Sequence, residues 1–339
     1  MTDLQGFLNK AKNVMLCRSM LMCDRFYLED RGSDPNIIIA VPKSVGINLS
    51  KLVSDQRDKI TSLKVHKVLP YNDCLELLDQ QKDSKTLHRF RSKISKELER
   101  LFKKRKIKVL TDTFVNNITK LKTKCKVSTN KGEILEAQKV IIAVGVIGNS
   151  ENIGLEKNGI KCENSWISVN GFMQTSIDNV YAIGDVAGPP WLAHVASEEG
   201  IAAVEHICGL KRDEISYDNI PGCTYCHPEV ASIGLTEKQA IDKGYNIKTG
   251  KFSFRALGKS LASSDIDGFV KIIFDDQYGE LLGCHIIGAE ATNLISEIGI
   301  ARKLETTWNE ILETVHPHPT LSEAIVEATA DAIGNAIHI

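Results

Sequence analysis

Apolar and polar positions fall into two textures along this chain. Near the N-terminus, residues 36–41 (NIIIAV) are an unbroken apolar run and predict a parallel strand buried on both faces. A turn, a helix from Asn48 to Ile60 and the alternating stretch SLKVHKVL follow, giving the outline of a βαβ unit. Between Lys93 and Lys106, Ile94, Leu98, Leu101 and Phe102 fall at i, i+4, i+7 and i+8, one apolar stripe of a helix whose other faces are charged. The stretches KIKVLTDTFVNNITKLK and KCKVST come next, then the hairpin signal Asn130-Lys131-Gly132. Val140 to Val144 closes this block as a second buried strand. Ahead of it all, residues 1–35 carry Leu8, Val14, Met15, Leu16, Met20 and Leu21 and read as helical.

The later part is punctuated by glycine and proline turns. A short strand, VYAIGD, precedes a helix from Ala193 to Gly209. Strands are expected at 229–235, 245–254, 268–275 and 280–288, the last two joined by the turn Asp276-Gln277-Tyr278-Gly279. Helices are expected at 290–304, 308–315 and 321–337. Strands followed by helices indicate an α+β domain opening near Pro221. The fold class is therefore an α/β block followed by an α+β block.

Composition sharpens this picture only in places. With 339 residues, 42% hydrophobic and 25% charged, the chain is long enough for two domains and excludes disorder and disulfide-stapled mini-proteins. No apolar run approaches the roughly 18 residues of a membrane span. The formal net charge of −1 hides a split: residues 1–130 carry 27 Lys+Arg and 14 Asp+Glu, and acids dominate the rest. Glycine is split too, with only Gly6, Gly32 and Gly46 before Gly132. Between Lys82 and Lys108 twelve basic residues face three acids, which raises nucleic-acid binding. The stripe at Ile94 to Phe102 accounts for them as solvated faces of a packed helix, and no aromatic platform accompanies them. Nine scattered cysteines and an N-terminus without a basic-then-apolar leader point to reduced thiols and a cytoplasmic setting.

Three motifs carry candidate chemistry. Gly184-Asp185 ends the apolar stretch Val180 to Ile183, where a glycine admits a ligand close to the backbone and an aspartate can hold a ribose or ribitol hydroxyl; the plain alternative is an ordinary turn. The string His316-Pro317-His318-Pro319-Thr320-Leu321-Ser322-Glu323 pairs histidine with a carboxylate, the arrangement a general base needs. Two other readings compete: Thr320-x-x-Glu323 is a helix capping box, and His316-x-His318 is half of a metal site without further ligands at a suggestive spacing. Cys223-x-x-Cys226 has redox or metal spacing, but reads as a strand entrance where alternate side chains face opposite ways.

Whole strings add a resemblance. YAIGDVAGPPWLAHVASEEG is similar to the second flavin-contacting motif of the pyridine nucleotide–disulfide oxidoreductases, and HPHPTLSEA to the signature of their dihydrolipoamide dehydrogenase branch. AVGVIGNSENIGLEKNGI, PGCTYCHPEVASIGLTEKQA and LGCHIIGAEATNLISEIGIA resemble that family's domain junction and dimerisation domain, and the likeness runs nearly unbroken from Ser95 to the end. It implies domains at 36–148 (NAD-binding, Rossmann-like), 149–220 (central, FAD-contacting) and 221–339 (dimerisation). It implies FAD contacts at Gly145, Gly184, Asp185 and the Leu192-Ala193-His194 turn. His318 becomes the acid–base for a dithiol, with Glu323 as its carboxylate partner, serving the flavin of a second subunit. The implied reaction is dihydrolipoamide + NAD⁺ to lipoamide + NADH. The implied partners are a homodimer or heterodimer mate and a lipoyl-bearing 2-oxo acid dehydrogenase complex.

The sequence departs from that pattern near the N-terminus. A strict Gly-x-Gly-x-x-Gly occurs nowhere, and the family's FAD-binding unit and redox Cys-x4-Cys helix are not found. Cys17 and Cys23 have five intervening residues and lack the flanking glycines. IIIAVPKSVGINLSKL looks like a worn NAD motif, with Gly46 at the third glycine but Val41 and Lys43 at the first two. Side chains there block a tight turn and close backbone approach to a pyrophosphate, and Val68-Leu69-Pro70 replaces the usual acid. Lys43 as a phosphate partner is the alternative. Two functions thus follow: a dihydrolipoamide dehydrogenase relative, or a non-catalytic dimerising module. A nucleic-acid binder ranks below both.

Overall fold

The computed structural model describes residues 93–138, 140–141 and 147–338, and the backbone of two short strands, Val14–Cys17 and Ile39–Ala40. The chain divides into two compact units, Met1–Gln81 with Val140–Ile215, and Lys82–Lys139 with Ser216–Ile339.

In the first unit the strand Val180–Ile183 is buried at all four residues. Val180 and Ala182 face Leu155, Ile160 and Ile167, while Tyr181 and Ile183 face Met173 and Ala203. Both faces are covered, which is why the sequence there is an unbroken apolar run rather than an alternating one. The helix Ala193–Ile207 supplies part of that cover through Ala203, and its Val195, Ala196 and Ala202 are buried as well. Val14–Cys17 pairs in parallel with Val180–Ile183, and Ile39–Ala40 pairs antiparallel on its other side. Two expectations are corrected. Residues 14–17 are strand, not helix, because four successive apolar residues fit a ladder beside an existing strand as well as they fit a helix. Residues 39–40 pair antiparallel rather than parallel, since an apolar run encodes burial and not strand direction.

The second unit is built on a five-stranded antiparallel sheet in the spatial order Ile247–Ser253, Phe269–Asp275, Leu281–Gly288, Glu229–Gly234, Gly222–Thr224. The two strands Phe269–Asp275 and Leu281–Gly288 are buried at every position. One face packs Ile233, Phe252, Val270, Ile272, Phe274 and Ile286 against the helices Ala291–Lys303, Trp308–Glu313 and Glu323–Ala332. On the other face, Ile94 and Leu101 of the helix Lys93–Lys104 meet Phe269 and Ile287, with Leu98 and Val230 beside them. Sequence periodicity predicted this stripe. Its basic residues instead make ion pairs such as Lys104 with Asp267, 3.2 Å, as expected of a packed helix with a solvated face. This packing groups the helix with the C-terminal sheet, whereas the sequence placed it in a 36–148 block.

A three-stranded meander, Val115–Lys120, Cys125–Thr129 and Ile134–Ala137, contains the expected hairpin at Asn130-Lys131-Gly132. The apolar pattern does not predict the helix Glu237–Asp242. Thr236 and Gln239 form its full capping box, a signal that was present in LTEKQ. The expected helix at 48–60, the strand at 62–69 and most of the strand at 140–144 lie outside the described residues.

Candidate active site

The strongest candidate is the corner at the start of the helix Glu323–Ala332. That helix lies on the strand Ile247–Ser253, and Gly250 makes the approach possible: a Cβ there would stand 1.8 Å from the Ala328 carbonyl oxygen. The middle and end of the helix are thereby held against the sheet, and Glu323 occupies its first turn, where a carboxylate is favoured by the helix dipole.

Both oxygens of Glu323 are engaged. Oε2 accepts the Thr320 N–H at 2.8 Å, and Oε1 lies 2.8 Å from His318 Nδ1. Burial opposes ionisation of Glu323, but the Thr320 N–H and the His318 ring outweigh it and hold the carboxyl below its ordinary range. An ionised acceptor assigns the proton to Nδ1 of His318, which leaves the Nε2 lone pair free. The His318 side chain is 75% exposed, so Nε2 is open to a reactant. The capping and acid–base readings therefore coexist. Glu323 makes the carboxylate half of a capping box, while the Thr320 hydroxyl bonds to the Pro317 carbonyl at 2.7 Å and to Ser322 at 2.9 Å instead. The metal reading loses its geometry: His316 has both ring nitrogens against oxygen acceptors, and no cluster of three metal-binding side chains occurs among the described residues.

The second candidate lies in the other unit. After Ile183 the backbone enters a tight turn, Gly184–Ala187, with Gly184 at φ +73°, a conformation glycine adopts without a Cβ penalty. The Gly184 N–H donates to Oε2 of the buried Glu199 at 2.6 Å. Sequence reasoning did not single out Glu199, because its partner is fifteen residues away and lies on a different element. Asp185 is half-buried on the turn, Leu192 and Ala193 are half-buried at the start of the following helix, and His194 is exposed. Nearby, the indole N–H groups of Trp166 and Trp191 are buried and have no acceptor, with their rings 5.9 Å apart. Gly145 and the worn motif at Val41, Lys43 and Gly46 lie outside the described residues.

The described cysteines are free thiols. Cys223 sits in the strand Gly222–Thr224 and Cys226 beyond its end, where its Sγ lies 3.1 Å from the Pro228 carbonyl. Burial pushes both thiols up, away from the thiolate that exchange requires. Among the described residues no helix is long and apolar enough to cross a membrane.

Comparison with known proteins matches this layout. Residues 220–329 fit the profile of the pyridine nucleotide-disulphide oxidoreductase dimerisation domain, and residues 78–200 that of pyridine nucleotide-disulphide oxidoreductase. A dihydrolipoyl dehydrogenase of Zymomonas mobilis is 46% identical over 252 residues, 73% of this chain and 54% of the relative. One from Bacillus subtilis is 42% identical over 309 residues, 89% of this chain and 61% of the relative. The crystal structure of LpdA from Mycobacterium tuberculosis superimposes with a TM-score of 0.65 at 25% identity, covering 69% of this chain and 51% of that one. The flavoprotein disulfide reductase RclA of Escherichia coli, at 19% identity and a TM-score of 0.65, shares the fold. The chain thus spans between 54% and 61% of the length of the two curated relatives described. On its motifs, its fold and these matches, the chain belongs to the pyridine nucleotide–disulphide oxidoreductase family.

Proposed function

We propose that this chain contributes the acid–base half and the dimerisation surface of a dihydrolipoyl dehydrogenase-type reaction. The observation that carries the reading is the bond from His318 to Glu323, 2.8 Å, on an exposed ring whose carboxylate is itself held by the Thr320 N–H. His318 takes a thiol proton at Nε2, and Glu323 orients the ring through Nδ1 and stabilises the imidazolium that forms. Large apolar side chains left exposed in the dimerisation region, Ile300, Leu304 and Val315, support a homodimer or a heterodimer with a related subunit. A lipoyl-bearing 2-oxo acid dehydrogenase complex is the corresponding larger partner, and free thiols fit a cytoplasmic setting.

The residues around Gly184 fit part of an FAD site. Gly184 turns the backbone at a positive φ, and two buried indole donors lack acceptors that a ribitol or flavin ring carries. Gly184, Asp185 and the Leu192–His194 turn would hold the cofactor; when bound, FAD supplies two-electron exchange between a dithiol and NAD. NAD itself has no corresponding support, since its motif is degenerate in sequence.

A second reading, a non-catalytic dimerising module, is favoured by the raised Cys223 and Cys226 thiols, which leave the described part of the chain without a poised dithiol. Purification, an FAD titration followed in the visible spectrum, and the mass in solution separate the two. Stoichiometric flavin with a dimer supports the first reading. A dimer that never takes up flavin supports the second, and a monomer contradicts both.

A further inference from the structure

His318 stands in a stretch without regular secondary structure between the helices Trp308–Glu313 and Glu323–Ala332. Its ring is mostly solvated, so packing does not fix it. On its C-terminal side, Thr320 and Glu323 tie the stretch to the helix start. On its N-terminal side stands His316, whose side chain is only 9% exposed although nothing in the acid–base step uses it. His316 Nε2, carrying the proton, donates to Glu297 Oε1 at 2.8 Å, and Nδ1 lies 2.9 Å from the Thr314 carbonyl oxygen. Glu297 projects from the helix Ala291–Lys303, which is anchored in the core by Ala291, Ile295 and Ile298.

We propose that His316 and Glu297 form a latch that positions His318, so that the acid–base histidine is bracketed two residues to either side. The proposal rests on the reading of His318 as the acid–base. The physical reason is orientational. One tether at Glu323 leaves the His318 backbone free to swing about it, whereas a second tether two residues upstream removes that freedom. Loss of alignment by an ångström is enough to slow proton transfer strongly. His316 is therefore a positioning residue, acting through the backbone of Pro317 and His318 rather than on a reactant.

The test uses the whole ¹⁵N-labelled chain and long-range imidazole spectra above the ordinary histidine titration range. In the wild type, His318 should show well-separated Nδ1 and Nε2 shifts, the signature of one tautomer with the proton on Nδ1. His316→Asn and Glu297→Gln should each draw the two shifts toward their mean, while circular dichroism and mass in solution stay unchanged. Glu323→Gln, which weakens the bond to His318 directly, should do the same. Separated shifts that persist in both latch variants would overturn the proposal. If one latch variant unfolds, the other decides; if both unfold, the pair is a core ion pair and the latch is refuted. Separated shifts that persist in Glu323→Gln as well would show instead that the His318–Glu323 pair is not formed, a failure of the acid–base reading itself.

Discussion

The His318 corner and the Gly184 turn both place a polar group at the end of a regular element, yet they are supported differently. At the His318 corner the two functional side chains are five residues apart, and the helix between them and the core is pressed onto a sheet buried on both faces. At the Gly184 turn the key hydrogen bond comes from Glu199, on a helix packed beside a four-residue strand. The first site inherits the rigidity of a large core, and the second depends on one buried carboxylate. A site's local motif and the tolerance of its scaffold are thus separate properties.

Substituting glycines in the two scaffolds should break this contrast most sharply. Gly250→Ala drives a Cβ into the Ala328 carbonyl, and backbone on both sides has to move. A loss of about 3 kcal/mol or more in urea unfolding is expected. Gly200→Ala meets only the Ile183 Cδ1, at 3.3 Å, and gains about 1 kcal/mol of helix propensity, so it should be near neutral. Equal losses would show that close helix–sheet approach is not what holds the His318 corner.

The dependence on pH extends the comparison to the sheet itself. His285 lies on the sheet face opposite the helix Ala291–Lys303, buried, with Nε2 against the Leu235 carbonyl at 3.1 Å. Burial pushes its pKa down to about 4. As pH falls below the ordinary value near 6.5, the unfolded chain takes up a proton that the fold excludes. Stability from this group is therefore full above about 6.5 and is lost progressively toward 4, by about 3 kcal/mol in all. Unfolding free energies measured across that window should fall more steeply in the wild type than in His285→Gln. Parallel slopes would remove His285 from the account.

At the weaker site, Glu199→Ala strips the Gly184 N–H of its buried acceptor and should cost about 2 kcal/mol. Flavin uptake should weaken with it, while Glu199→Gln, which retains an acceptor oxygen, should lose much less. Flavin uptake unaffected by Glu199→Ala would detach that carboxylate from the turn's role. The smallest effect belongs to Glu323→Gln. The amide oxygen still accepts the Thr320 N–H, so stability should change by less than about 0.5 kcal/mol. A large loss would mean that Glu323 is chiefly structural.

How much of this was legible follows the same division. The stripe at Ile94, Leu98 and Leu101, the buried strands 269–275 and 281–288, and the pair His318 and Glu323 could all be read, because each is encoded within a few residues. Glu297 behind His316 and Glu199 behind Gly184 could not, since both are polar residues on helices whose partners are chosen by tertiary packing. Strand direction at Ile39–Ala40 is not legible for a related reason: the partner decides it, not the run of apolar residues.

The central claim, that His318 and Glu323 form a working acid–base pair, is tested most directly by subunit complementation. The chain would be co-expressed with a full-length dihydrolipoyl dehydrogenase relative in which the histidine aligned with His318 is replaced by glutamine, and mixed dimers isolated by two tags. The account predicts that dihydrolipoamide oxidation returns in mixed dimers carrying the wild-type chain and stays absent with His318→Gln. Mixed dimers that assemble, hold flavin and remain inert with the wild-type chain would contradict it.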